Sequence, residues 1–410
     1  MVLRKPELLS PARDFEQLTM AMTYGADAVY MGGLRFGLRA AAGNFGTEEL
    51  RKAVRQCHAA GTKVFVTCNA VLSNEDADSL PEFLEEIADA SADAVIVSDI
   101  GALSLARKYA PKLNVHISTQ AGVFNYESAN TLYDLGASRI ILAREVPLSQ
   151  IAQIRLKTPA ELELEAFVHG AMCVAISGRC LLSSYLTGRD ANRGQCAQPC
   201  RWKYSLIEHQ RPGEAFDITE GEGTYIMNSR DLCMIDHIGD MIDAGLDCLK
   251  IEGRMKSAYY AAVITNAYRK ALDSAISGVP LNEVWRNEVY KVSHREYSTG
   301  FYYDSEGPGQ YCGDSMYRSE CDVVAVVDSC DENGNATLTQ RNKFFTGDIL
   351  ELLTPHDEPI SFVAESIKNA KGQEIDSTPQ AMMKLFIKLP IYAPQFSVVR
   401  KERSQFIEKR

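Results

Sequence analysis

Eight short apolar runs, most of them followed by an amphipathic stretch, recur through the first two-thirds of this chain. That alternation limits the fold more than any other feature of the sequence. The runs Glu7–Pro11, Ala28–Gly32, Lys63–Asn69, Ala94–Ser98, Asn114–Thr119, Arg139–Ala143, Glu163–His169 and Cys248–Glu252 read as strands. Helical periodicity falls at Asp14–Tyr24, Glu48–Ala59, Asp78–Ala88, Ala102–Tyr109, Ser128–Leu135 and Leu148–Leu156. Repeated βα units in this order predict an α/β fold, a closed parallel barrel of the TIM type, with an insertion before the last strand. A doubly wound open sheet is the competing arrangement, but no Gly-rich phosphate fingerprint follows the first strand.

A long helix over Ser257–Ile276 closes this unit. Past Gly307 the pattern changes to alternating strands and turns: CDVVAVVDSC, a DENGN turn, NATLTQ, DILELLT, MMKLFIKL and FSVVRKE. The expected division is therefore a barrel over residues 1–306, carrying an insertion at about 170–235, and a small all-β domain over 307–410. That second domain reads as a substrate-docking element, with a lid or a dimer contact as the alternative.

Barrel enzymes place their chemistry at the C-terminal ends of the strands. This sequence offers Pro11, Arg13, Gly32, Gly33, Asn69, Asp99, Gln120, Glu145, His169, Gly170, Glu252, Gly253 and Arg254 there. The insertion begins directly after the seventh strand, so it should lie over the barrel mouth. Five of the eleven cysteines fall inside it, at Cys173, Cys180, Cys196, Cys200 and Cys233. The other six (Cys57, Cys68, Cys248, Cys312, Cys321 and Cys330) fit the ordinary reading of small buried hydrophobes.

Clustered thiolates are costly unless a metal or a disulfide holds them. The cysteine count is odd, the N-terminus MVLRKPELLSPARDFEQ has no apolar core of a secretory signal, and no run approaches the length of a membrane span. These features point to a reducing cytoplasm and away from disulfides. A zinc ribbon uses pairs of Cys-x2-Cys, whereas the gaps here are longer. Widely spaced thiolates suit an iron–sulfur cluster. Cys173, Cys180, Cys196 and Cys233 are taken as its ligands, with Cys200 in reserve, since spacing alone does not choose between the last two.

The chain is acidic, with a formal net charge of -11, yet Ala166–Ile207 carries five bases, Arg179, Arg189, Arg193, Arg201 and Lys203, against the single acid Asp190. Tyr185, Trp202 and Tyr204 are interleaved with them. Such a mixture suits a single-stranded nucleic acid or a loop. Cations that merely stabilise nearby thiolates are an equal alternative.

The run Glu165-Ala-Phe-Val-His169-Gly-Ala-Met-Cys173, continued by Gly178-Arg-Cys180-Leu-Leu-Ser183, resembles the signature of the collagenase-like U-32 peptidase family. The resemblance extends through Gly188-Arg189, Gly194-Gln-Cys196, Cys200-Arg-Trp202, Asn228-Ser-Arg-Asp-Leu232 and Lys250-Ile-Glu-Gly-Arg254. It also takes in ELLSPA, Tyr30-Met-Gly-Gly33 and Arg39-Ala-Ala-Ala-Gly-Asn-Phe45. It implies membership of the subgroup that hydroxylates the wobble uridine of tRNA to 5-hydroxyuridine in a prephenate-dependent reaction. A 4Fe–4S cluster as cofactor, prephenate as co-substrate and the tRNA anticodon loop as partner follow from that resemblance. So do the alternatives: a collagenase-like protease, or hydroxylation of a ribosomal RNA cytidine or a ubiquinone precursor. A homo-oligomer and a pairing with a paralogue are both compatible with it.

Within this frame Arg39 and Arg254 are expected to clamp the carboxylates of a small anionic metabolite, because a guanidinium pairs bidentately with such groups. Asn69, Arg189, Arg193 and Arg201 are further substrate-binding candidates. His169 and Glu252 are the candidate catalytic groups for proton transfer.

Overall fold

The computed structural model of the chain describes residues 5–39, 43–204, 206–207, 215–216, 227–303, 309, 311 and 315–403. Cys312, Ala40–Ala42 and the expected boundary at 306/307 lie outside the described residues. The first seven strands are β1 (Glu7–Pro11), β2 (Ala28–Gly32), β3 (Lys63–Cys68), β4 (Ala94–Val97), β5 (Asn114–Ile117), β6 (Arg139–Ile141) and β7 (Glu163–Ala171). A short strand β8 (Asp231–Cys233) then precedes β9 (Cys248–Ile251). Each of β1–β6 pairs in parallel with the next strand, and β9 closes the circle by pairing with both β7 and β1. The expected barrel is thus the observed one.

Helices α1 (Phe15–Thr23), α2 (Thr47–Ala59), α3 (Asn74–Asp89), α4 (Ile100–Tyr109), α5 (Tyr126–Asp134) and α6 (Leu148–Lys157) follow the first six strands. Strands buried on both faces read as near-continuous apolar runs, and every residue of β2, β4 and β6 is buried. Helix α3 starts earlier than its apolar period indicates, because Ser73 and Asp76 cap each other at its N-terminus. A short helix α7 (Leu182–Thr187) lies in the insertion, and α8 (Ile238–Asp243) leads into β9. The long α9 (Ala258–Ser277) packs on α1, and α10 (Glu283–Glu288) packs on α9. No helix among the described residues is long and apolar enough to cross a membrane.

Two local irregularities shape the mouth. β7 runs past its expected end at His169 and pairs antiparallel with β8, which in turn pairs with β10 (Tyr297–Ser298). The register between β7 and β9 shifts at Lys250/Ile251, and Glu252 N donates to His169 O at 2.9 Å. Gly170 makes this close approach feasible: its φ is +113°, and a Cβ there would stand 2.6 Å from Glu252 O.

The C-terminal domain is an antiparallel sheet of β11 (Cys321–Cys330), β12 (Asn335–Gln340), β13 (Ile349–Leu353), β14 (Ile360–Val363), β15 (Ile367–Asn369), β16 (Glu374–Ile375), β17 (Lys384–Lys388) and β18 (Val398–Glu402). Their spatial order is β14-β13-β18-β11-β12-β17-β15-β16. The domain is fastened to the barrel by a buried ion cluster. Arg400, fully buried, reaches both carboxylate oxygens of Glu288 at 2.6 and 2.7 Å and Glu351 at 2.9 Å.

Candidate active site at the barrel mouth

The period-2 alternation of a strand puts Lys250 and Glu252 on the same face, and both line a chamber inside the mouth. Tyr30, Arg39, Thr67, Asn69, Arg144 and Arg254 are further polar residues of its wall, with Ser118, Thr119 and Gln120 beside them. Lys250 belongs to the barrel interior, where its ammonium lies 2.9 Å from the buried Glu165. Glu165 in turn meets Arg139 at 3.1 Å. Glu252 faces Arg39 at 3.4 Å and Arg144 at 4.0 Å, and the Tyr30 hydroxyl at 3.4 Å.

Burial pushes the Glu252 carboxyl up, but Arg39, Arg144, Lys250 and Arg254 outweigh it and hold the group below the ordinary carboxylate range. Arg39 is raised by Glu252 in return. Burial drives Arg254 down to about 10, which leaves it charged at neutral pH. With Lys250 neutralised by Glu165, three guanidiniums face one carboxylate. The Nε atoms of Arg144 and Arg254 and the Asn69 Oδ1 are buried without a hydrogen-bond partner. A site that excludes its own polar atoms from water in this way is complementary to a ligand that would satisfy them.

Above the chamber lies a wider cavity of ≈ 260 Å³ that shares Arg39, Arg144 and Glu252 with it. Cys173, Cys180, Cys196 and Cys200 all line this outer cavity. The loop that carries the first two is fixed by Glu145, which accepts from Ser177 N at 2.8 Å. It is fixed also by Gly178, whose φ is +76° and where a Cβ would lie 2.0 Å from Gln120 O. Asn192 donates to Cys180 O at 2.9 Å, and Ser183 Oγ accepts from Ala197 N at 3.0 Å. Burial raises the Cys200 thiol, Arg201 lowers it, and the three neighbouring cysteines raise it further. Among the described residues no three His, Cys, Asp or Glu side chains are disposed to hold a single metal ion.

Arg39, Asn69, Glu252 and Arg254 are therefore brought together, and Arg189 lines the outer cavity. Arg201 also lines the outer cavity, whereas Cys233, His169 and Arg193 stand outside the cysteine-lined cavity. Cys233 is not in the cavity: β8 turns it toward α9, where its sulfur lies 3.7 Å from the Tyr268 hydroxyl and burial pushes its thiol up to about 11. His169 sits beside it, its ring nitrogens 3.2 Å from the Tyr268 hydroxyl and 3.4 Å from that of Tyr297. Burial keeps that imidazole well below its ordinary pKa, so it is neutral. Arg193 is committed to Asp76 at 2.7 Å and to Val71 O at 2.8 Å. Arg201 is spent on Asn228 Oδ1, Ser229 O and Met172 O at 2.6 to 2.7 Å, where it braces the insertion. Cys57, Cys68, Cys248 and Cys321 are buried, and Cys330 is half-buried.

Arg144, Lys250 and Tyr30 were not singled out from the sequence. Arg144 follows β6 at the C-terminal face, which is the signal that could have found it.

A parallel βα barrel with a polar chamber and a thiol-lined cavity at its C-terminal face has the form of a barrel enzyme. The chain belongs to peptidase family U32: the model of that family matches residues 13–310, and that of the U32 C-terminal domain matches residues 319–400. It is 38% identical over 400 residues to the tRNA hydroxylation protein P1 of Bacillus subtilis, covering 96% of this chain and 94% of that protein. The tRNA hydroxylation protein P of Escherichia coli is 35% identical over 429 residues, with 92% of each chain covered. The 23S rRNA 5-hydroxycytidine C2501 synthase of Escherichia coli is 39% identical over 270 residues, which span 66% of this chain and 40% of that protein.

Proposed function

We propose that this chain hydroxylates a base of RNA, and that the base is the wobble uridine of tRNA, converted to 5-hydroxyuridine with prephenate as co-substrate. The observation that carries the reading is the continuity of two compartments at one barrel mouth. One is lined by four cysteines and open to the surface; the other is deeper and presents three guanidiniums around one carboxylate. The names of relatives support RNA as the substrate class. Alignment over nine-tenths of both chains favours tRNA over ribosomal RNA, for which 40% of the relative is aligned.

We assign a 4Fe–4S cluster to Cys173, Cys180, Cys196 and Cys200. Four thiolates around one cavity repel one another, as the effect of the other three on Cys200 indicates, and a cationic iron core relieves that repulsion. The chemistry such a cluster would supply when bound is electron transfer.

The chain's own residues bind and orient. Prephenate carries two carboxylates, and Arg39, Arg144 and Arg254 offer charge-assisted hydrogen bonds to both. The unpaired Nε atoms of Arg144 and Arg254 are donors for them. Glu252 stays ionised and can accept a proton at Oε2, beside the Tyr30 hydroxyl. A Cys–His peptidase pairing of Cys173 with His169 finds no support, since both nitrogens of that imidazole face tyrosines behind the barrel wall.

The test is mass spectrometry of tRNA nucleosides from a strain lacking the gene and any redundant pathway, with and without complementation by this chain. Loss of 5-hydroxyuridine derivatives on deletion and their return on complementation are expected. Undiminished derivatives defeat the tRNA reading, and a missing 5-hydroxycytidine in ribosomal RNA would redirect it. Anaerobically purified protein should be brown and contain iron and sulfide; colourless protein with stoichiometric zinc counts against the cluster.

A further inference from the structure

The structure sorts the four arginines among the five cations of the insertion into two groups. Arg193 and Arg201 are consumed by Asp76 and by backbone carbonyls, and they hold the insertion in place. Arg179 and Arg189 are exposed, and among the described residues neither has a carboxylate partner. Arg189 lines the outer cavity, and Arg179 lies over the Gly122 turn beside it. In a chain of net charge -11 two unpaired guanidiniums at the lip of one cavity form a local anion-attracting site.

Two large exposed rings are carried by elements of the same cavity wall. α7 turns Leu182 and Ser183 into the cavity and Tyr185 outward, where it is 88% exposed. The turn that packs on α7 carries Cys200 and Arg201 into the cavity wall and ends at Trp202, which is 45% exposed. Water-exposed rings on elements of a cavity wall, together with unpaired cations on the same insertion, match the needs of unstacked bases and their phosphates. Val174, Ile176 and Met255 are exposed apolar residues of the cavity wall itself, suited to the faces of a base that enters it.

We propose that this rim is the docking face for a single-stranded RNA loop: neighbouring bases stack on Tyr185 and Trp202, and phosphates meet Arg179 and Arg189. The inference rests on the RNA reading above and names the surface that serves it. Association is then driven by the insertion, and the cysteines beneath it define where the target base is held.

The experiment measures binding of an unmodified tRNA transcript to anaerobically prepared full-length protein by filter retention, across a salt series. Tyr185→Ala and Trp202→Ala are expected to weaken binding roughly tenfold or more each, with Tyr185→Phe and Trp202→Phe near wild type. Arg179→Ala and Arg189→Ala are each expected to lower the slope of log K against log salt by about 0.7. Iron content is measured for every variant, and Tyr185 is so exposed that its replacement leaves folding intact. Wild-type affinity and slope in Tyr185→Ala and Arg189→Ala, with the wild-type protein binding tRNA, overturn the docking face and leave the RNA reading standing. Failure of the wild-type protein to bind or modify tRNA removes both.

Discussion

Arg39 and Glu252 meet at 3.4 Å in the mouth of the barrel, from segments that follow β2 and β9, the two strands that flank β1, and this contact helps keep a carboxylate ionised in a chamber of positive charge. Replacing Glu252 by Gln removes the one acid that lines this chamber among the described residues. Binding of prephenate should hold or tighten, because three arginines then lack a counter-charge. Turnover should fall about 100-fold or more, the range for loss of a general base. Titration calorimetry for binding and single-turnover assays for rate separate the two effects. A variant that binds prephenate worse and turns over normally would refute the assignment. Since Glu252 is held below the ordinary carboxylate range, the wild-type rate should not decline through this group on acidification from pH 8 to about pH 5.

The architecture of the site was largely legible, because alternation and strand-end position are properties of the chain itself. All eight barrel strands lie where the apolar runs put them, and Arg39, Asn69, Glu252 and Arg254 converge at their C-terminal ends. What escaped depends on long-range pairing. β8 is the polar-flanked stretch Asp231-Leu-Cys233, and its pairing with β7 sends His169 and Cys233 behind the wall. Local charge likewise could not tell Arg193 and Arg201, which fasten loops, from Arg179 and Arg189. In the C-terminal domain β14, β15 and β16 are short and partly exposed, so their periodicity was too weak to register.

The choice between Cys200 and Cys233 can be made by iron content. Cys200→Ala should lose most of the cluster after anaerobic reconstitution, whereas Cys233→Ala and the buried-core variant Cys57→Ala should retain it. Gly178→Ala should also lose iron while remaining folded, since its Cβ would collide with Gln120 O and displace the loop bearing Cys173 and Cys180. Circular dichroism checks the fold, and iron and sulfide assays check the site. Full iron in Cys200→Ala together with none in Cys233→Ala would transfer the fourth position to Cys233.

Three buried histidines set an acid limit to stability. Burial holds His116 and His169 well below the ordinary imidazole value, and it lowers His294 as well. His116 and His169 are neutral when folded, His294 takes up a proton less readily than a free imidazole, and all three bind a proton once unfolded below about pH 6.5. The unfolded chain therefore takes up more protons, so stability should rise with pH through that region and fall on acidification below it. Urea midpoints measured from pH 5 to pH 8 test this. His169→Phe should flatten part of the slope, and an unchanged slope in that variant would show that His169 titrates alike in both states.

The tie between the two domains should be among the strongest single contributors to stability, yet only as a pair. Arg400 and Glu288 are both buried, and removal of Arg400 leaves the Glu288 carboxylate with Lys291 at 3.4 Å in place of a bidentate guanidinium. Arg400→Ala is expected to cost about 3 kcal/mol, because two carboxylates lose their buried partner and are left to share Lys291. Arg400→Met with Glu288→Leu should recover much of that loss, since apolar groups of similar volume avoid the desolvation of both ions. Glu351 tempers the recovery: it also contacts Arg400 at 2.9 Å, but Lys291 stays beside it at 3.0 Å and keeps it paired. Denaturant melts of the single and double variants form the cycle that isolates the coupling. Additive losses would mean that the two domains are held by apolar packing alone, with the ion cluster contributing only register.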